Sequence, residues 1–353
     1  MKKVTNSCAG VLISFSCFIL SSEFIFSPLH KSGNIIISAS TAILVGLTGL
    51  TIILKAFHKE RSEYSAAPKL LAVISIISSA FSTVISLMLT TEVIKDTAYI
   101  ANRSISMFYY ISLSLAILTV SYYLCCNSEK GIYRFSILSS ILFLLISVLI
   151  FSAFTTTKSA VFDTGTNTAK TLIGSVLRGT VTGLFLTADA SCYFFCFNRF
   201  IREENGALKK NPIIVGYIFA FLIIILYNVI TVLTFGTKLT SSLTDPDYAL
   251  IKLIPGIDMT ETISAIRIVS FMIKSSVYIY CSSKLLKSAF AKTGTSIAPF
   301  ILIHYLMILI IVIVLTVIDK SLEYGAFQHL IYPSVIIYSA LIMITNFLYR
   351  KKQ

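Results

Sequence analysis

The sequence predicts an all-α membrane protein with ten transmembrane helices, and two observations carry that prediction. Ten apolar runs fill most of the 353-residue chain, and each has the roughly 20 residues that a helix needs to cross a hydrocarbon core. Hydrophobic residues make up 56% of the chain and charged residues 13%, and both faces of most runs are apolar. In lipid the backbone must satisfy its hydrogen bonds within each segment, so we expect every run to be helical.

The ten predicted spans follow one another with short connections. They are 9–27, 35–57, 68–92, 106–126, 133–154, 172–197, 212–236, 262–288, 296–318 and 328–349. Pro68, Pro212 and Pro299 open three of these spans, where the missing N–H of proline costs no hydrogen bond. The longest connections, 155–171 and 237–261, are too short for an extramembrane domain.

The basic residues give the predicted spans a direction. The net charge is +13, and with the N-terminus inside, 18 lysines and arginines fall on the cytoplasmic side and 8 on the opposite side. This asymmetry follows the positive-inside rule and places both termini in the cytoplasm. We therefore interpret the basic residues as determinants of membrane orientation that contact the anionic lipids of the bilayer. We expect no nucleic-acid partner.

The spans divide into two groups of five within one membrane domain, 1–353. The first group lies in residues 1–154 and the second in residues 155–353. Because five is odd, the second group enters the membrane from the opposite side, so the two halves are inverted relative to each other. Inverted repeats often bind ligands near the midplane between interrupted helices.

The first span of each half contains polar residues where a ligand site near the midplane would need them. In the sixth span, Gly179 and Gly183 are expected to loosen the helix before its acidic residue. A carboxylate inside the bilayer needs a partner, a water-filled cavity or a proton, so it is a candidate site for a ligand amine or a coupling proton. The candidate ligand-binding residues are Ser21, Ser22, Glu23, Thr187, Ala188 and Asp189.

Three basic residues also fall within predicted spans, and they leave a second interpretation open. Arg178 lies in the sixth span, while Arg267 and Lys274 lie seven residues apart on one face of the eighth. Any of them is a candidate charge partner for the buried acidic residues. In that case Glu23 and Asp189 would pin helices together rather than bind a ligand. Arg267 and Lys274 could instead form a site for a carboxylate.

Catalytic, metal and cofactor chemistry is not expected. The sequence has no Gly-rich nucleotide loop, no nucleophile elbow and no zinc-protease motif. The four histidines are scattered, and the seven cysteines form no C-x-x-C pair. We therefore predict that the protein is not an enzyme and that it holds neither a metal nor a cofactor.

Several short segments resemble the spore germination permease family, the B subunit (GerAB type) of germinant receptors. FLTADASCYFF (185–195) is similar to the family's sixth-span motif and places Asp189 at its acidic position. TEVIK (91–95), LLKSAF (285–290) and the basic tail YRKK (349–352) are placed as in the family. The chain departs from it in having no tryptophan and in carrying Ser21, Ser22 and Glu23 where the family has a Gly-x-Gly break.

The resemblance implies a LeuT-like fold within the amino acid–polyamine–organocation superfamily. It implies residence in the spore inner membrane, in complex with an A-type membrane subunit and a C-type lipoprotein. It also implies recognition of a small germinant, such as an amino acid, in a midplane pocket. Two other functions stay open: an H⁺- or Na⁺-coupled amino acid transporter, and a membrane scaffold without a ligand.

Overall fold

The computed structural model describes ten helices, and each coincides with a predicted span. It covers residues 7–57 apart from 26–33, then 72–86, 107–156, 169–242 apart from 204–206, 249–250, 260–290, and 295–348 apart from 319–324. The helices are α1 (Cys8–Ile25), α2 (Ile35–Ala56), α3 (Ala72–Ser86), α4 (Met107–Cys126), α5 (Ser128–Thr156), α6 (Ala169–Cys196), α7 (Lys210–Ser242), α8 (Thr260–Phe290), α9 (Ala298–Ile318) and α10 (Gly325–Leu348). The prediction of an all-helical chain is confirmed for these residues. Both chain ends and most of the two long loops lie outside them.

Several of these helices qualify as membrane spans by their length and composition. Within the described residues, α2, residues 171–196 of α6 and residues 210–237 of α7 are each long and apolar enough to cross a membrane. The bent pair α4 and α5 passes the same test together, and shorter apolar stretches lie in α1, α3, α9 and α10. Leu44 on α2 and Ile141 on α5 are each about two-thirds exposed, as expected of side chains that face lipid.

The centre of the bundle consists of three helix segments that other helices surround. Residues 14–21 of α1, 189–196 of α6 and 273–283 of α8 are buried without interruption. Burial on all sides explains how α8 can carry polar residues without presenting them to lipid. Two of these segments carry buried charged side chains, Asp189 on α6 and Lys274 on α8.

The helices pair in a pattern that recurs between the two halves of the chain. The most extensive packing is between α2 and α6 and between α1 and α7, and α1 packs on α5 as α6 packs on α10. A hydrogen bond of 2.8 Å between the hydroxyls of Ser121 and Ser275 joins α4 to α8. One of 2.8 Å between Ser79 and His304 joins α3 to α9.

Two local features differ from the predicted course of the chain. The predicted loop between the fourth and fifth spans is reduced to a sharp corner, because α5 begins at Ser128, two residues after the end of α4. Ser128 has a φ of 62°, and the axes of α4 and α5 differ in direction by 119°. A Cβ on Gly131 would lie 2.6 Å from the Cβ of Asn127, so the corner requires glycine there. In α7, Gly236 has φ 75° and breaks the helix where the predicted span ends.

Candidate binding site

A buried ion pair lies where the three central segments meet. Lys274 on α8 donates to Oδ2 of Asp189 on α6, and the side chains of both residues are almost completely buried. Charged groups are removed from water at high cost, and a buried pair is stable only when the geometry and further hydrogen bonds compensate for it. The stability of this pair therefore depends on the groups that contact it.

Two aromatic residues also contact the pair. The hydroxyl of Tyr278, one helical turn after Lys274, donates to Oδ1 of Asp189 at 2.7 Å. The Nζ of Lys274 lies 3.6 Å from the ring centroid of Phe18 on α1, close enough for a cation–π interaction. The carboxylate therefore receives two donors from α8, while the ammonium of α8 contacts the two other central helices, α6 and α1.

A second set of hydrogen bonds holds Tyr278 and the end of α6 in position. The hydroxyl of Tyr338 on α10 donates to the backbone carbonyl of Tyr278 at 3.1 Å and lies 2.8 Å from the hydroxyl of Ser282. On α6, the thiol of Cys192 lies 3.5 Å from the hydroxyl of Ser339. The helix α10 thus fixes the register of both helices that carry the ion pair.

The other predicted residues of the sixth span face a different neighbour. The hydroxyl of Thr187 donates to the backbone carbonyls of Gly183 at 2.7 Å and Gly46 at 3.3 Å, so it faces α2. Ala188 is half-buried and packs against the hydrophobic core. Of this group of three, Asp189 alone contributes a polar side chain to the ion pair.

The predicted break in the sixth span is wrong. The helix α6 runs without interruption from Ala169 to Cys196. A Cβ on Gly179 would lie 2.3 Å from the carbonyl oxygen of Ser38, and one on Gly183 would lie 2.7 Å from that of Ala42. The two glycines therefore serve close packing of α6 on α2, as small residues four apart do in membrane helices, and they do not loosen the helix.

The first-span residues are only partly described. Ser21 is buried, and its hydroxyl donates to the carbonyl oxygen of Phe18 at 2.6 Å, within its own helix. Ser22 and Glu23 belong to α1, which continues unbroken to Ile25, but their side chains lie outside the described residues. At the ion pair, the described contact from α1 comes from Phe18.

The three predicted charge partners have different positions. Lys274 pairs with Asp189, as one of the interpretations of the sequence expected. Arg178 is exposed on α6, about three turns from Asp189, and is not part of the described ion pair. Arg267 is buried on α8 about two turns before Lys274.

A further buried polar group pins helices together away from the ion pair. The ring of His304 on α9 lies between two hydroxyls of α3, with Nδ1 2.8 Å from Ser79 and Nε2 3.1 Å from Ser82. One ring nitrogen donates and the other accepts, so the neutral ring satisfies both contacts. This histidine is best understood as an interhelical hydrogen-bonding residue.

Searches of protein-family models and of curated proteins find no match to this chain. Support for a function of this chain therefore comes from the sequence patterns and from the geometry of the buried ion pair.

Proposed function

We propose that this protein is the integral-membrane, permease-type subunit of a spore germinant receptor. It recognises a small germinant, an amino acid or a similar molecule, and so triggers germination. The observation that carries the proposal is the ion pair of Asp189 and Lys274, which lies among three central helices of a largely apolar bundle. Ionisable groups in such positions are the default candidates for ligand or ion sites in membrane proteins.

The helix pairing supports a LeuT-like, five-plus-five inverted repeat as the fold. If the first half, α1–α5, is superposed on the second half, α6–α10, and the second on the first, the α2–α6 contact corresponds to the α7–α1 contact. The α1–α5 contact likewise corresponds to the α6–α10 contact. The α4–α8 contact at Ser121 corresponds to the α9–α3 contact at His304. In such folds ligands bind between the first helices of the two halves, which here are α1 and α6.

The proposed partners are an A-type membrane subunit and a C-type lipoprotein, in the spore inner membrane. An affinity-tagged copy of the chain, purified from solubilised spore inner membranes, is expected to carry both partners with it. Spores that carry the double variant Asp189→Asn/Lys274→Met, which removes both buried charges, are expected to lose the germinant response at unchanged protein level. A normal response from spores that lack the chain would contradict the proposed function.

A transporter of amino acids coupled to H⁺ or Na⁺ is the second candidate. The same ion pair favours it, because a buried carboxylate that exchanges partners is a common element of ion-coupled pumps and transporters. Uptake of a labelled amino acid by proteoliposomes distinguishes the two functions. Uphill accumulation by the purified chain alone would support the transporter and contradict a purely sensory role.

A further inference from the structure

The ammonium of Lys274 occupies the position on Asp189 that a ligand amine would take. We propose, on the basis of the proposed function, that Lys274 is a resident occupant of the ligand site and that a zwitterion displaces it. The ligand's ammonium takes the place of Lys274 on Asp189, and its carboxylate pairs with the displaced Lys274. One internal ion pair is thus exchanged for two pairs with the ligand, and no covalent bond changes.

The surroundings of the ammonium are those of a cation-binding site. Nζ lies between the carboxylate of Asp189 and the ring of Phe18, whose centroid is 3.6 Å away. A carboxylate together with an aromatic face is a combination that binds ligand ammonium groups. The hydroxyl of Tyr278 stays on the other carboxylate oxygen at 2.7 Å, so Asp189 remains oriented when Lys274 leaves.

The burial of both charges selects for ligands that carry both charges. A ligand with an ammonium alone would take Asp189 away from Lys274, whose side chain is almost completely buried. A ligand with a carboxylate alone would take Lys274 away from Asp189. Separating a buried, hydrogen-bonded charge from its partner weakens binding by about 100-fold. An α-amino acid carries both groups on one carbon and leaves each buried charge paired.

The exchange also provides a conformational signal. Lys274 is on α8 and contacts α6 through Asp189 and α1 through Phe18. Displacement of its ammonium removes the cation–π contact between α8 and α1 and places the ligand between these helices. Because the ligand binds only the state in which the pair is open, binding shifts the population toward that state.

The first test asks whether an external ammonium can occupy the site. Lys274→Ala leaves a cavity beside Asp189, and ethylammonium at millimolar concentration is expected to raise the midpoint of thermal unfolding of the purified variant. Propionate is expected to have no effect. Lys284→Ala is the matched control, because Lys284 lies on the same helix and donates to the carbonyl of Phe195 rather than to a carboxylate. Equal effects on both variants, or none on Lys274→Ala, would overturn the proposal.

The second test uses the wild-type protein, so it does not depend on the folding of a variant. Each of the twenty proteinogenic amino acids is tested by thermal unfolding, and those with uncharged side chains are compared with their decarboxylated amine and their deaminated acid, each of which carries a single charge. At least one amino acid is expected to raise the midpoint, with both counterparts about 100-fold weaker. The double variant Asp189→Asn/Lys274→Met is expected to lose this response. A counterpart as effective as its amino acid, or no response to any of the twenty, would overturn the proposal.

Ligand binding by the purified chain and germination of spores that lack the chain together separate a failure of this inference from a failure of the proposed function. If the purified chain binds a zwitterion but spores lacking the chain germinate normally, the exchange stands and the receptor function fails. If germination requires the chain but an amine alone binds as well as its amino acid, the function stands and the exchange fails.

Discussion

Asp189 and Lys274, 85 positions apart in the chain, form an ion pair that ties α6 to α8 at the centre of the bundle. The pair is neutral as a unit, and Tyr278 and Phe18 contact its two ends. The pair therefore has two separable consequences, one for stability and one for ligand recognition. The consequences for stability can be measured without knowledge of the ligand.

Removal of one charge of the pair is expected to cost far more than removal of both. Lys274→Met leaves the buried carboxylate of Asp189 without its ammonium, and losing one partner of a buried pair costs about 3–5 kcal/mol. Asp189→Asn/Lys274→Met removes both charges at similar volume and is expected to lie within about 1–2 kcal/mol of the wild type. Reversible unfolding in mixed micelles measures these free energies. Losses that simply add in the double variant would show that the two residues are not coupled.

The hydroxyl of Tyr278 is expected to contribute measurably to the same cluster. Tyr278→Phe removes its hydrogen bond to a charged acceptor, and we expect a loss of about 1–2 kcal/mol. Tyr133→Phe is the matched control, because the hydroxyl of Tyr133 is buried with no hydrogen-bond partner among the described residues. The control is expected to be neutral or slightly stabilising in the same unfolding measurement. Equal losses from the two substitutions would argue against the Tyr278–Asp189 hydrogen bond.

Much of the fold and part of the site could be predicted from the sequence, because length and hydropathy determine where helices cross lipid. Asp189 and Lys274 were both predictable, since charges inside apolar runs are few. Tyr278 carried a usable signal, because it lies four residues after Lys274 and hence on the same helical face. Phe18 carried none, because it is one apolar residue within an apolar run.

The incorrect prediction at Gly179 and Gly183 has a physical cause. Glycine lowers helix propensity in water, and that argument suggested a loosened helix. In lipid the backbone has no alternative hydrogen-bonding partner, so the helix persists and the missing side chains admit a neighbouring backbone. The spacing of four residues between these glycines was the better signal, since it predicts a packing face.

The ring of His304 is expected to stabilise the contact between α3 and α9. His304→Ala removes hydrogen bonds to Ser79 and Ser82 and leaves a cavity at a fully buried position, and we expect a loss of about 2–4 kcal/mol. Tyr305→Phe is the neighbouring control, because its hydroxyl meets Thr119 at an exposed position. Chemical denaturation of the purified variants measures both. A loss for His304→Ala no larger than that of the control would contradict the interhelical role.

The packing of α6 on α2 is expected to distinguish two glycines of one helix. A Cβ on Gly179 would lie 2.3 Å from the backbone carbonyl oxygen of Ser38, which cannot move without shifting α2. Gly179→Ala is therefore expected to lower the free energy of unfolding by about 1–3 kcal/mol, because the two helices must separate. Gly174→Ala is the matched control on α6, where a Cβ meets no atom within 4 Å.

At Gly174 the higher helix propensity of alanine is expected to leave stability unchanged or raise it by up to about 1 kcal/mol. The two variants have the same change in composition, so any difference between them in the unfolding measurement reports the α2–α6 contact alone. Thr187 provides an independent readout, because its hydrogen bond to Gly46 requires the same close approach of α6 and α2. Thr187→Val is therefore expected to lower the free energy of unfolding less in the Gly179→Ala background than in the wild type. Equal stability of the two alanine variants would mean that α6 does not pack on α2 through its glycines.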